Sequence, residues 1–245
     1  MVIFANFSYL NSYTSMTILA QCLSYITLKR KVMRRSILVL ISILFLASCS
    51  NNDSSIKAKL PAAKVGEQTA TFAAGCFWSI QEGFMELKGV IKATSGYAGG
   101  DTENPTYEQV SSDRTGHAEA VQVIYDPNVI SYAQLLEAFF YMHDPTQLNR
   151  QGPDIGTSYR SIAFYSNAEE KAQIGTTMDK FNRMGLHRDA IVTEVKAFDK
   201  FYPAEAHHQN YYRLNPNDAY ITNVCGPKLK KLREALPNLL QDKYK

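Results

Sequence analysis

From about Gln68 onward the chain alternates between two kinds of apolar segment, and that alternation most narrows what it can fold into. Residues 69–74, 90–97, 117–125, 161–165 and 191–198 are short runs that read as strands. Residues 77–87, 132–142, 168–184, 204–214 and 228–235 carry apolar side chains at helical spacing. Ser131 with Gln134, and Asn167 with Glu170, have capping-box spacing at two helix starts, and Gly185 suits a helix C-terminus. With no internal repeat and no second boundary, the pattern predicts one α+β domain: a two-layer α/β sandwich with a single sheet and long loops.

Charge and cysteine usage remove several functions. The net charge of +3 is uneven, because residues 1–48 hold five basic side chains and no acidic one. The remaining 21 basic and 23 acidic residues leave a net of −2, so no basic face points to nucleic acid. The four cysteines, Cys22, Cys49, Cys76 and Cys225, form no CxxC pair and do not cluster with histidine at zinc spacing. A structural metal site is not expected, and no phosphate-loop spacing suggests a nucleotide.

The first fifty residues read as an address. Met33-Arg34-Arg35 precedes an apolar run over 36–46, then Ala47-Ser48-Cys49. A basic start, a short apolar stretch and small residues make a secretory signal over 33–48. The run is too short for a comfortable membrane span, which takes about 20 residues. Leu46-Ala47-Ser48-Cys49 resembles a bacterial lipobox, which implies cleavage before Cys49 and lipidation of its thiol. The expected location is the cell envelope, anchored to a membrane by lipid. Residues 1–32 are then an extended leader or a start-site artefact. Polar residues make 49–67 a flexible tether to a domain over 68–236, with 237–245 a C-terminal tail.

Chemistry points first to Cys76. The stretch Gly75-Cys76-Phe77-Trp78 joins a strand-like run to a helix-like one, placing the thiol at a helix N-terminus. Free N–H groups and the helix dipole there favour the nucleophilic thiolate. A small buried residue is the plainer reading of a single cysteine. Glu119 is anomalous: alternation places it on one strand face with Val121 and Val123. It either reaches solvent at the strand end or is a carboxyl kept neutral by burial, able to act as a general acid. Loops rich in glycine and tyrosine, 96–107 and 151–160, supply ring walls and hydroxyl donors.

Taken together, the segments resemble the A-type peptide methionine-S-sulfoxide reductases. The resemblance rests on Gly75-Cys76-Phe77-Trp78, Ser95-Gly96-Tyr97-Ala98-Gly99-Gly100, Asn104-Pro105-Thr106-Tyr107, Thr115-Gly116-His117-Ala118-Glu119, Asp154-Ile155-Gly156-Thr157-Ser158-Tyr159-Arg160 and His208-Gln209-Asn210-Tyr211. It implies a ferredoxin-like core and reduction of methionine (S)-sulfoxide in proteins and peptides. In that reading Cys76 attacks the sulfoxide sulfur, and Phe77 and Trp78 wall the substrate methyl. Glu119 serves the sulfoxide oxygen with help from the hydroxyls of Tyr107 and Tyr159, and Asp154 supports the site. No bound cofactor is implied. The partners implied are oxidised proteins and a thioredoxin-like dithiol, acting on a monomer.

The chain departs from the family pattern at Gln81, Pro153 and Ser158. Ala219-Tyr220-Ile221 stands where a Gly-Tyr-Cys often supplies the second thiol. Cys225, a few residues on, is either the thiol that resolves the Cys76 sulfenic acid or a buried bystander. Two other functions fit the residue types alone: a Cys–His hydrolase using His117 or His208, and a peptide-binding module in which Cys76 is inert.

Overall fold

The computed structural model of the protein describes residues 55–245. The expected leader, the signal over 33–48 and the lipidation site Cys49 lie outside the described residues.

Four strands and two helices form the frame, in the chain order β-α-β-β-α-β. They are β1 (Gln68–Ala74), α1 (Phe77–Met85), β2 (Val90–Ala98), β3 (Ala118–Tyr125), α3 (Tyr132–Tyr141) and β6 (Ser161–Tyr165). The short helix α2 (Tyr107–Ser111) interrupts the step from β2 to β3, and the hairpin β4 (Arg150–Gln151) with β5 (Asp154–Ile155) interrupts the return to β6. The strands stand in the order β6-β1-β3-β2, every neighbouring pair antiparallel, which is the ferredoxin-like arrangement. After α4 (Ala168–Met184), β7 (Glu194–Ala197) adds to β6 in parallel, and β8 (Phe201–Pro203) adds to β2 antiparallel. Then come α5 (Tyr211–Leu214) and α6 (Gly226–Ala235).

The two-residue period sorts the sheet faces as expected. Phe72, Ala93, Val121 and Val123 face the helices, whereas Ala73, Ala98, Ala118 and Ala120 share the other face with Ile162, Phe164 and Phe201. Phe72 stacks on Phe84 of α1 and Phe139 of α3 at 5.2 Å each, so one ring ties both helices to the sheet. Burying such a side chain stabilises by about 1.5–3 kcal/mol. Gly83 lets α1 approach its neighbours, because a Cβ there would stand 2.2 Å from Met142 Sδ and 3.1 Å from Leu229 of α6. That close seat holds α6, and the Cys225 that precedes it, against the start of α1.

Local signals fix the helix ends. Ser131 and Gln134 form the reciprocal capping box, and Gly185 closes α4 in the left-handed region at φ 64°. Asn167 caps α4 by accepting the Glu170 N–H, but the Glu170 carboxylate reaches the N–H of Ser166 instead of completing the box.

Three expectations are corrected. The helix over 204–214 does not form. Ala204 N–H bonds Ser95 O beside β8, Ala206–His208 make one tight turn, and Asn210 turns the chain at φ 56° before the four residues of α5. The Gln209 side chain acts as a surrogate strand, accepting from Ser95 N–H and donating to Ser95 O. The flexible tether is docked at residues 56–58: Ala206 N–H donates to Ile56 O and Ala58 N–H to Ala204 O, with Lys57 and Glu205 bridged between them. The C-terminal tail is packed, since Leu240 is buried, bridges Leu87, and is followed by Gln241 N–H on Glu86 O.

Candidate active site

The turn from β1 into α1 sets the thiol. Gly75 takes φ 79°, and a Cβ there would stand 2.5 Å from Gln151 Cβ, so only glycine lets the 150s loop close over this turn. Cys76 occupies the N-cap position of α1, where the Trp78 backbone N–H favours its thiolate. The thiol is buried against the thiol of Cys225, which is 0% exposed at the entry to α6.

These thiols titrate as one group. Burial pushes Cys76 well up, and the neighbouring Cys225 thiol adds to that rise. Cys76 in turn draws Cys225 down, with the Lys228 charge assisting against burial. The pair therefore gives up its first proton more easily than its second.

Glu119 lies on β3 opposite Tyr97, 3% exposed, so the solvent-reaching reading does not hold. Its Oε2 accepts the Phe77 N–H at 2.9 Å. Burial pushes its carboxyl well above the usual range, and the charges of Cys76 and Asp154 push it further. Such a carboxyl keeps its proton at neutral pH.

Two loops bring the phenols. Tyr107 opens α2 behind the Thr106–Gln109 capping box, and its ring lines the cavity together with Tyr159. Burial, then the nearby Glu119, raises Tyr107 to about 12 and pushes Tyr159 up as well. The turn carrying Tyr159 is pinned by Asp113, which accepts Ser158 N–H at 2.8 Å and the Thr157 hydroxyl at 3.1 Å. Asp154 in β5 accepts the Tyr220 hydroxyl at 2.5 Å, and Tyr220 lines the same cavity as Cys76. Trp78 stacks on Tyr211 with centroids 3.9 Å apart and gives its indole N–H to His208 Nδ1 at 3.3 Å.

Cys76, Phe77, Trp78, Tyr107, Glu119, Asp154 and Tyr159 thus line one cavity of about 320 Å³. Cys225 is not in the lining but lies against Cys76. Sequence reasoning passed over Tyr211, Asp218 and Tyr220, which complete the wall. The signal for Tyr220 was present, in the segment where a Gly-Tyr-Cys was sought. Gln81 has a role that needs a neutral amide: it donates to Ala93 O and Gln209 Oε1 and accepts from Asn210 N–H.

The histidines are engaged elsewhere. His117 takes the Gly100 N–H on Nδ1 and pairs Nε2 with Thr102 O at 2.7 Å. His208 accepts from Trp78, and burial followed by the neighbouring His207 lowers it to about 4. Neither ring is set to draw a proton from Cys76, so the Cys–His hydrolase reading gains nothing from the geometry.

A family model described as peptide methionine sulfoxide reductase matches residues 68–239. A peptide methionine sulfoxide reductase MsrA of Natronomonas pharaonis is 51% identical over 167 residues, covering 68% of this chain and 94% of its own. One from Haloquadratum walsbyi is 50% identical over 173 residues, covering 71% and 98%. Among solved structures, Mxr1 from Saccharomyces cerevisiae in reduced form superposes with a TM-score of 0.61 at 30% identity, over 67% of this chain and 94% of that one. Methionine sulfoxide reductase A of Corynebacterium diphtheriae gives 0.57 at 31% identity, over 69% and 91%. With the family model matched over 68–239, the fold shared with two solved structures and half of the aligned residues identical in the relatives, the chain belongs to the peptide methionine sulfoxide reductase family.

Proposed function

We propose that the chain reduces the S epimer of methionine sulfoxide in peptides and proteins, with Cys76 as nucleophile and Cys225 as resolving thiol. The observation that carries this reading is the buried, adjacent Cys76 and Cys225 thiols beside a cavity lined by Glu119 and phenol donors. The sulfoxide methyl rests on Phe77 and Trp78, and the oxygen meets Glu119 and the Tyr107 and Tyr159 hydroxyls. A sulfoxide oxygen leaves sulfur only when its growing charge is met, and a fixed donor set does that without rearranging. The Cys76 thiolate attacks the sulfoxide sulfur while Glu119 gives its proton to the oxygen. Attack forms a bond between the Cys76 sulfur and the substrate sulfur; that bond and the substrate S–O bond then break as the hydroxyl moves to the Cys76 sulfur, so methionine departs and Cys76 is left as a sulfenic acid. Cys225 as thiolate then displaces the sulfenic oxygen, which takes up a proton and leaves as water, and a Cys76–Cys225 disulfide forms. An external dithiol of the thioredoxin type reduces it by exchange.

The leader supports one further part of the proposal: cleavage before Cys49 and lipidation of that thiol, which sets the enzyme at a cell-envelope membrane.

Incubating the chain with a dithiol and each epimer of a methionine sulfoxide peptide tests the reaction. The S epimer is consumed and the R epimer is untouched. Equal consumption of both, or of neither, sinks the reading. Mass analysis of the mature N-terminus tests the anchor.

A further inference from the structure

Lys228 stands three residues after Cys225 in the first turn of α6. Its ammonium nitrogen is buried and has no hydrogen-bond partner among the described residues. A cation taken out of water and left unpaired costs several kcal/mol unless an opposite charge offsets it. The nitrogen lies beside the nucleophile's turn: a Cβ on Gly75, the residue before Cys76, would be 3.8 Å from it.

The groups within its field are Cys76, Cys225, Glu119 and His143. His143 is neutral, lowered to about 4 chiefly by burial, with its ring nitrogens engaged by Phe139 O and Ser161 Oγ. Glu119 keeps its proton. Of these four groups, that leaves the thiols to hold a negative charge; Asp144 also acts on His143, and its carboxylate is engaged by Thr146, Gln147 and His187. The thiol pair also faces Asp154, and the phenols of Tyr107, Tyr159 and Tyr220, which burial keeps neutral. Asp154 opposes a thiolate there, which a cation must outweigh.

We infer that Lys228 is the counter-ion of the negative charge that Cys76 and Cys225 share, and that it keeps the dithiol nucleophilic. The inference rests on the reading of Cys225 as the thiol that closes on Cys76. It makes Lys228 a positioning residue for charge rather than a group that touches substrate. Two steps draw on it. Before attack, the Cys76 proton passes to the Cys225 sulfur and the charge moves to Cys76 within the field of the same ammonium. After the sulfenic acid forms, Cys225 must again be a thiolate to close the disulfide.

The test compares the full chain with Lys228→Met, Lys228→Gln and Lys228→Arg. Single turnovers of the S-epimer peptide are followed over a pH series by methionine release and by loss of free thiols, alongside the ultraviolet absorbance of thiolate. Both neutral variants should close the disulfide about tenfold more slowly at neutral pH and recover toward the wild-type rate as pH rises. Thiolate absorbance should appear at higher pH in both, and Lys228→Arg should keep the wild-type profile. A neutral variant with an unshifted profile overturns the inference, and so does Lys228→Arg behaving like Lys228→Met at every pH. A wild-type chain that releases methionine without forming the Cys76–Cys225 disulfide overturns the reading of Cys225 and this inference together. Normal closure with an unshifted profile in the neutral variants overturns the counter-ion alone.

Discussion

The N–H of Phe77 donates to Oε2 of Glu119 at 2.9 Å, joining the first turn of α1 to β3 across 42 residues of sequence. A protonated carboxyl that accepts on Oε2 carries its proton on Oε1, the oxygen left for the cavity. Glu119→Gln keeps this shape, since the amide oxygen can accept from Phe77 and the NH₂ can face the substrate. It donates a hydrogen bond but cannot transfer a proton. The expected result is a fall of about a hundredfold in kcat with little change in KM, read from steady-state kinetics with the S epimer. Full activity in this variant removes Glu119 as the acid.

The same substitution has the opposite sign for stability. Burial raises the native carboxyl above its unfolded value, so between those two values the native state binds more protons than the unfolded chain. Stability from this group is fully present below the ordinary carboxylate range and is lost as pH rises toward the native value. Glu119→Gln does not titrate. It should therefore resist urea better than wild type at neutral pH, and the advantage should shrink in acid. Urea midpoints at the two conditions decide it, and a pH-independent difference refutes the buried neutral carboxyl.

Cys225→Ser isolates the second thiol. With a hydroxyl against Cys76, sulfenic acid can form once and cannot be resolved within the chain. One methionine should appear per chain, followed by a stall, with Cys76 then labelled by a sulfenic-acid-selective nucleophile. Sustained turnover with a dithiol at the wild-type rate makes Cys225 a bystander.

Tyr220 gives its hydroxyl to Asp154 in the wall of the cavity that holds Cys76. Tyr220→Phe leaves Asp154 without that partner. Activity should fall about tenfold, and urea stability by about 1–2 kcal/mol. Tyr211→Phe is the control: it loses only a 3.4 Å bond to Asp218 and keeps its stack on Trp78, so its kinetics should stay close to wild type.

What the sequence made legible was local or periodic. Cys76 could be placed at a helix start because a strand pattern and a helix pattern meet at Gly75, and Glu119 could be assigned a face because strand parity is strict. The failures came where partners are far apart in sequence. The apolar spacing over 204–214 imitates a helix, but Gln209 is drawn into bonds with Ser95, 114 residues away, and that competition breaks the pattern. Tyr220 gains meaning only from Asp154, 66 residues earlier. Lys228 reads as one more solvated lysine until folding buries its nitrogen beside two thiols.

The docked strap gives the last test. Lys57 reaches Glu205 Oε1 at 2.6 Å and Pro105 O at 2.6 Å. Glu205 also accepts the Tyr97 hydroxyl at 2.8 Å and the Tyr107 N–H at 3.2 Å, so one carboxylate links the N-terminal strap to the start of α2. Burial pushes Glu205 up, but the Lys57 ammonium and the Tyr97 hydroxyl outweigh it and hold the carboxyl below its usual range. A depressed carboxyl adds stability above its unfolded value and loses it as pH falls through the native one. Lys57→Met leaves the carboxylate buried without its cation. Because the Lys57 side chain is 31% exposed, the loss should be about 1–2 kcal/mol rather than the ~3–5 kcal/mol of a fully buried pair. The deficit should be largest at neutral pH and close as the carboxyl protonates in acid. Tyr107 loses part of its anchor, so kcat should fall with it. A variant that matches wild type in urea midpoint at neutral pH would show that the strap rests on the domain without holding it.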